Sequence, residues 1–373
     1  MTVIDSLERT IRDNVSSLGN NTVYIQKWPW TFGPEYPWWK YMNRPVPNLD
    51  EYEFIKENSA YADECAFIAS TSRTVESGNK SMSEVGIIVS TPEYERIRAI
   101  ELGEGRFFSM QEAQTGRPVA VIGDEISQQL FMGVNPVGKV VKVDGHKLSV
   151  IGVFKREGED MFGNNHDESV LIPMNYGRTI FDVKSENMNP FIMVSAKEGV
   201  SIEDLQAELE VLMRSARRLS PMEEEDFALN RASMISQGLD SIFSMIDLAG
   251  IIIGGFAILV GGFGIANIMF VSVRERTKII GIQKAIGAKQ YLILVQFLSE
   301  AVVLSLLGGM LGLILVWLGT LLAAGAVESI KFSLSAGNII TGFLISFGIG
   351  VVSGFAPARA AARLDPVIAI NRV

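Results

Sequence analysis

The sequence predicts a multi-pass membrane protein: an α-helical transmembrane bundle joined by a helical stalk to an α+β domain outside the membrane. Three observations predict it. First, Leu248–Val273, Ala301–Val327 and Phe332–Ala358 run 26, 27 and 27 residues without an Asp, Glu, Lys or Arg, and about 20 apolar residues suffice for a helix to cross a bilayer. Second, the net charge of −9 is unevenly shared. Residues 274–373 hold nine Lys/Arg against four Asp/Glu, and the rest of the chain holds 24 against 38, so the two parts face different surroundings. Third, much of the acidic part alternates short β-rich runs with helix-like segments, as a mixed α and β domain does.

Taken in order, residues 1–17 read as a stalk helix. Ile4, Leu7, Ile11, Asn14 and Leu18 recur at three- and four-residue spacing, the stripe of an amphipathic helix. The opening MTVIDSLERTIRDNVSSLGNN lacks a basic flank, an apolar core and a small-residue cleavage site, so it is not a signal peptide. Export of the acidic domain then calls for a further span ahead of it. The expected bundle is three spans present and a fourth missing from the N-terminus.

Residues 18–231 form the α+β domain. Its expected strands include residues 22–26, 65–70, 86–90, 119–123, 170–173 and 191–196, and VVKVDGHKLSVIGVF reads as a hairpin turning at Asp144-Gly145. Helices are expected in TPEYERIRAIEL, in GDEISQQLF and in SIEDLQAELEVLMRSARRL. In the last of these Ser201 and Asp204 stand as a capping box and Leu205, Leu209, Leu212 and Ala216 share a face. Ser220-Pro221 reads as the start of another helix, with Glu223–Glu225 in its first turn. Four of the five tryptophans, Trp28, Trp30, Trp38 and Trp39, crowd into KWPWTFGPEYPWWKYMNRPVP. A packed loop whose aromatics cover the domain is the simpler account; a platform for a partner or apolar ligand is the sharper one.

A second stalk helix, 232–247, carries Ile235, Leu239, Ile242 and Ile246 at steps of 4, 3 and 4 and leads into the first span. The spans are placed at about 248–273, 291–327 and 332–358. Gly254, Gly255, Gly261, Gly262 and Gly264 in the first, and Gly308, Gly309 and Gly312 in the second, suit close helix packing. Between these two spans lies a basic segment, 274–290, with Arg274, Arg276, Lys278, Lys284 and Lys289 against Glu275. The tail, 359–373, has Arg359, Arg363 and Arg372 against Asp365, while the link between the last two spans has only Glu328 and Lys331. The positive-inside bias puts the basic segment and the tail in the cytoplasm and residues 1–247 outside. Asn267 and Glu300 stand out among the polar side chains within the spans. Glu300, near the cytoplasmic end, reads as a structural hydrogen-bond partner at least as well as a functional carboxylate.

Little here points to catalysis. His166, Asp167 and Glu168 stand together in NNHDES, near Asp160, but adjacent side chains of an extended stretch diverge and do not easily share one ion; a solvated loop is expected. G-x-S-x-G, H-E-x-x-H and the phosphate-binding G-x-x-x-x-G-K-[ST] do not occur. Cys65 is the single cysteine, which leaves no internal disulfide and no Cys-based zinc site. The acidic front carries no basic face for nucleic acid.

LVGGFGIANIMFVSVRERTKIIGIQKAIGA, followed by QFLSEAVVLSLLGGMLG and the closing PARAAARLDPVIAI, resembles the permease segment of MacB/FtsX-type ABC transporters. STPEYERIRAIELGEGRFFS, AVIGDEISQQLF and NPVGKVVKVDGHKLSVIGVF resemble the MacB-type periplasmic core domain. The resemblance implies a non-enzymatic, multi-pass inner-membrane subunit that binds no cofactor itself, with ATP and Mg on a partner ATPase. It implies that the basic segment docks on that ATPase, with Ile279, Ile282 and Ile286 as an apolar ridge and Arg274, Glu275, Arg276, Lys278, Lys284, Lys289, Arg359 and Arg363 around it. Ile279 stands where the family usually has Glu and Gln283 where it has Arg, so a salt bridge made there in relatives is not expected. A second permease copy or a paralogue, membrane lipid, and a periplasmic adaptor or outer-membrane protein complete the implied partners. Efflux by mechanotransmission is the implied activity. The alternatives are a signalling subunit regulating an envelope enzyme and a membrane-anchored sensor without an ATPase.

Overall fold

A computed structural model describes residues 4, 7–12, 19, 21–31, 36–157, 166–326 and 336–370. The chain divides into two compact units, Ile11–Asp240 and Ser241–Val373 together with Met1–Thr10.

The first unit is built on one ten-stranded mixed sheet. Its strands are β1 (Thr22–Gln26), β2 (Ala62–Ser77), β3 (Lys80–Ser90), β4 (Leu102–Gly105), β5 (Val119–Ile122), β6 (Val140–Val143), β7 (His146–Phe154), β8 (Ser169–Pro173), β9 (Phe191–Ala196) and β10 (Ala228–Arg231). They lie in the order β10-β1-β9-β2-β3-β8-β5-β7-β4. β6 pairs with both β2 and β7, which closes β2-β3-β8-β5-β7-β6 into a ring of paired strands. The pairs β3/β8 and β5/β7 are parallel and the rest antiparallel.

Strict alternation divides the side chains between two cores. Val85, Ile87 and Val89 enter one cluster with Ile192 and Val194, while Ile88, Met193 and Tyr24 join the other, because successive strand residues point to opposite faces. The expected hairpin forms between β6 and β7. Asp144 and Gly145 both adopt positive φ, 49° and 80°, the backbone that a two-residue primed turn requires.

The helices of this unit are α1 (Trp38–Tyr41), α2 (Leu49–Asn58), α3 (Tyr94–Arg98), α4 (Met110–Thr115), α5 (Asp124–Phe131), α6 (Met174–Ile180) and α7 (Ile202–Ala216). In α7 Leu205, Leu209 and Met213 are buried, and the expected Leu212 packs, partly buried, against the same cluster. Ser201 caps Asp204 N at 3.1 Å, and its hydroxyl donates to the Asp204 carboxylate at 2.6 Å; only the Ser half of the expected box forms, since Asp is a methylene shorter than Glu. Full boxes occur elsewhere, at Asn48/Glu51 and Ser109/Glu112. The hydrogen bond from Arg106, helped by the backbone at Ser109, holds the Glu112 carboxyl down to about 2.

Three expectations are corrected. TPEYERIRAIEL is helical only over α3: Ala99 turns left-handed at φ 47°, and Leu102–Gly105 pairs as β4. No helix follows Ser220-Pro221. Arg214 donates to the carbonyls of Ser220 and Glu223, holding a turn that delivers the chain to β10. His166 and Asp167 do not sit in a solvated loop, because both are buried; Asp160, Asn164 and Asn165 lie outside the described residues.

α8 (Ala232–Glu275) runs 44 residues without a break. Within the first unit its Ala232 and Ile235 are buried, and Leu239 and Ile11 pack against the same cluster. Arg12 pairs with Asp240. Asn14 and Leu18, further along the expected N-terminal stripe, lie outside the described residues.

The second unit contains the rest of α8, then α9 (Thr277–Ala285), α10 (Gln290–Ala326), α11 (Ala336–Ala362) and α12 (Pro366–Ile370). α8, α10 and α11 are each long and apolar enough to cross a membrane. α11 continues four residues past the expected end of the third span, with Pro357 inside it, so the tail begins as helix. The first four residues expected in that span lie outside the described part.

Small residues carry the α10–α11 contact, though mostly not the expected ones. A Cβ on Gly354 would meet the Ala301 Cβ at 2.4 Å, and one on Gly350 would meet the Val302 Cα at 2.8 Å. Of the glycines singled out from the sequence, Gly262 faces Ser353 and Gly309 faces Ser346; the others have open space beside them.

Candidate functional site

The basic segment resolves into a tight helical elbow. α8 ends at Glu275, and the Thr277 hydroxyl donates to the carbonyls of Val273 (3.0 Å) and Arg274 (2.8 Å). Two of the last carbonyls of α8, which have no partner within the helix, are thereby satisfied. α9 closes at Gly287, whose φ is 102°. Gly287 N donates to Lys284 O and Ala288 N to Gln283 O, both at 3.0 Å, the paired bonds of a Schellman cap.

α9 has two unlike faces. Thr277, Ile280 and Gly281 are buried, and Ile280 joins a cluster with Met269, Val273, Phe297, Ala301, Ala358 and Ala361. On the other side Ile279, Ile282 and Ile286 are 56%, 54% and 81% exposed. Steps of three and four put these isoleucines on one ridge, so the expected ridge exists and is uncovered. Arg274, Glu275, Lys278 and Lys289 are exposed around the elbow.

Two of the basic residues are engaged within the chain. Lys284 Nζ donates to the Leu364 carbonyl at 2.7 Å, tying α9 to the end of α11. Arg276 Nη1 donates to Glu300 Oε2 at 3.3 Å, which supplies the intramembrane carboxylate with a counter-charge close to the expected cytoplasmic boundary. Arg359 and Arg363 are exposed, as is Asn267 on α8.

The tail adds residues that sequence reasoning passed over. Asp365 caps α12, accepting from Val367 N at 2.9 Å, and Val367 and Ile368 are 68% and 67% exposed. The signal was present in the Asp-Pro pair, a helix start with Pro at its first position.

The tryptophans separate into two groups. Trp30 packs on Tyr24 with ring centroids 4.9 Å apart, and its backbone N–H donates to Asn230. Trp28 meets the edge of Tyr41 and carries Lys27 5.5 Å from its ring centroid. Trp38 and Trp39 are mostly exposed, packed edge-on to each other. The intervening residues 32–35 lie outside the described part.

His166 is used structurally. Its Nε2 meets the Tyr94 hydroxyl at 3.0 Å and its Nδ1 meets Glu157 at 3.0 Å. Burial works against the charge on Glu157, yet hydrogen bonding to His166 and the nearby Arg98 hold its carboxyl below the ordinary range. With both ring nitrogens engaged, neither is left for a metal ion. Among the described residues no group of three His, Cys, Asp or Glu is arranged to hold one.

Comparison with known proteins agrees with this geometry. The MacB-like periplasmic core domain model matches residues 1–212, and the FtsX-like permease C-terminal model matches residues 251–366. The chain is 36% identical over 282 residues to "Macrolide export ATP-binding/permease protein MacB" of Bdellovibrio bacteriovorus, covering 75% of this chain and 43% of that protein. To the protein of the same name from a Shewanella species it is 32% identical over 365 residues, covering 98% of this chain and 54% of the relative. The chain thus spans about half the length of the curated relatives it matches. Among solved structures it is similar to the periplasmic region of MacB from Actinobacillus actinomycetemcomitans, at 18% identity and a TM-score of 0.49, covering 61% of this chain and 96% of that one. The protein is a multi-pass inner-membrane protein with an extracytoplasmic α+β domain. Matched over more than half its length by the first model and through its membrane helices by the second, the chain belongs to the MacB/FtsX-type ABC transporter permeases.

Proposed function

We propose that this permease converts ATP hydrolysis by an ABC ATPase into motion of its extracytoplasmic domain, and that this motion drives efflux or extrusion of a drug, peptide or lipoprotein. One observation carries the reading. The Ile279/Ile282/Ile286 ridge is exposed on a short helix whose opposite face is fixed in the core of the membrane unit. An apolar ridge at helical spacing is what a groove in a partner receives, and the exposed Arg274, Lys278 and Lys289 would set its orientation. Arg359, Arg363, Val367 and Ile368 extend the same role to the tail. Lys284 and Arg276 would contribute indirectly, by holding the elbow in place. The names of the relatives, which join ATP binding to permease, support an ATPase as the occupant.

Two copies, or this chain and a paralogue, would work together, and a periplasmic adaptor or outer-membrane protein would receive the outward stroke. α8, continuous from Ala232 to Glu275, is the element suited to transmit it. The exposed Trp38 and Trp39 favour a second reading, in which the outer domain regulates an envelope enzyme. Substrate-stimulated ATPase activity supports efflux; an outside partner bound only in the ATP-driven state supports regulation.

The test uses a cysteine cross-link. Cys65 is buried, so Ile286→Cys supplies an accessible thiol. In native membranes it is expected to cross-link to a P-loop ATPase domain, on this or another polypeptide, with a yield that changes on adding ATP. No such cross-link from either Ile286→Cys or Ile282→Cys would overturn the coupling role.

A further inference from the structure

The membrane unit carries a groove between α8 and α11 that the coupling mechanism does not use. Its origin is an uneven distribution of side-chain size along the two helices. Gly262 comes so close to α11 that a Cβ on it would stand 2.7 Å from the Ser353 hydroxyl oxygen. Ala266 on α8, with Gly348 and Ala356 on α11, is also small, and these residues leave space between the helices. Phe263 and Phe270 on one side and Val352 on the other stand out beside it, 74%, 43% and 76% exposed. The hollow has a volume of about 530 Å³, and Ser353 is the only polar residue among its described lining residues. On α8 the lining runs from Ile258 to Phe270, about 18 Å at the helical rise per residue. One leaflet's share of the hydrocarbon core is about 15 Å, so the groove has the length of a single acyl chain.

Charge is confined to one end. α8 leaves the extracytoplasmic unit, and α11 follows after the return crossing of α10, so both helices end on the cytoplasmic side. Arg274 lies one helical turn beyond Phe270, and Arg359 lies three residues beyond Ala356. These steps continue the groove faces of their helices. Both arginines are exposed, and among the described residues no ion pair or side-chain hydrogen bond engages either guanidinium. Arg276, by contrast, is paired with Glu300, and Asp365 is occupied as the cap of α12. An apolar channel one leaflet long, ending between two open guanidinium groups, matches a lipid tail below an anionic phosphate in length and in sign.

We propose that this groove holds one acyl chain of an anionic phospholipid of the cytoplasmic leaflet, with Arg274 and Arg359 on its headgroup phosphate. This goes beyond the coupling reading, which gives both arginines to a partner ATPase, and does not depend on it: the isoleucine ridge is untouched, and the site needs neither nucleotide nor ATPase. An anionic lipid gains charge-assisted contacts in addition to the packing of its chain. A zwitterionic lipid with the same chains carries its own ammonium beside the phosphate and keeps little more than the packing. Two basic residues at an anionic headgroup amount to a preference of about tenfold or more.

The test is native mass spectrometry of the full chain, delipidated in detergent and titrated with dioleoyl-phosphatidylglycerol or dioleoyl-phosphatidylcholine. Phosphatidylglycerol is expected to be retained at about tenfold lower concentration than phosphatidylcholine. Arg274→Gln combined with Arg359→Gln is expected to remove that preference. Lys278→Gln combined with Lys289→Gln takes as much charge from the elbow and is expected to leave it in place, which separates this site from general attraction to a basic surface. Gly348→Leu tests the apolar half. A Cβ at Gly348 meets nothing within 4 Å, so the larger side chain enters the groove without a clash. It is expected to weaken retention of both lipids while the melting temperature is kept. Four results would overturn the proposal: no preference for phosphatidylglycerol, equal loss of preference from both charge variants, undiminished retention by folded Gly348→Leu protein, or Gly348→Cys chains joined to each other by a disulfide in native membranes, which would put a second copy in the groove.

Discussion

The two units of this permease solve the same packing problem with opposite materials. The extracytoplasmic unit buries large branched and aromatic side chains between sheet and helices and fixes its polar ends with ion pairs such as Arg217–Glu51 and Lys56–Glu93. The membrane unit leaves its large side chains outward, with Phe263, Leu315 and Leu322 among the exposed residues, and brings helices together through Gly350, Gly354 and Ala301. In water, burial of apolar surface drives packing. In lipid that drive is absent between helices, so close backbone approach and dispersion take over. The sensitive changes therefore differ between the units: loss of buried side-chain volume or of a charge partner in one, gain of a methyl group in the other.

The largest effect is expected in the membrane unit. Gly350→Val puts a Cβ 2.8 Å from the backbone at Val302, which does not yield as a side chain would. It is expected to cost about 3 kcal/mol or more, seen as lost yield and a collapsed thermal melt in detergent. A stable Gly350→Val protein would break the comparison.

Next comes Glu112→Gln in the extracytoplasmic unit, expected to cost about 1.5–3 kcal/mol at neutral pH. The folded-state carboxyl sits at about 2, below its unfolded value of about 4.3. Its stabilisation is therefore complete above the unfolded value and is lost as pH falls through about 2. Melts of native and variant protein should converge across that window. A gap that stays constant down to pH 2 would show that the carboxylate charge is not what stabilises.

Lys284→Met, which removes the donor to Leu364, is expected to cost about 1 kcal/mol and to loosen the tail, read as faster hydrogen exchange at residues 364–369. Smallest in stability is Ile282→Asp on the open ridge, expected within about 0.5 kcal/mol of the native chain, yet abolishing the cross-link from Ile286→Cys. A variant that leaves the fold intact and removes coupling would sharpen the contrast between residues that hold the elbow and residues that it presents.

How much was legible in the sequence follows the same division between local and distant causes. The three apolar helices, the strand at 191–196 and the Asp144-Gly145 turn depend on runs of neighbouring residues; the strand and the turn lie where the pattern puts them, and a long apolar helix overlaps each expected span. The isoleucine ridge was readable too, because one helix fixes its spacing. The capping boxes at Asn48 and Ser109 were present as residue pairs three apart but passed unnoticed in polar stretches. What could not be read were partners far along the chain. Arg276 finds Glu300 24 residues away, and Lys284 finds a carbonyl 80 residues away. His166 is buried against Tyr94 and Phe154, although its neighbours in sequence are those of a surface loop. Ser220-Pro221 has the composition of a helix start, and the long-range demand of β10 for a place beside β1 prevailed over it.

The ring closure of the sheet bears on how this unit survives its own synthesis. Because β6 rejoins β2, the long strands are paired on both sides, and the sheet ends in β10 and β4, each of only four residues. Long open edges recruit other chains and seed aggregation, and short ones give little purchase. A unit that must reach its folded state beyond the membrane, beside many unfolded neighbours, thus offers them almost no strand to extend, and its partners would have to recognise side chains rather than backbone.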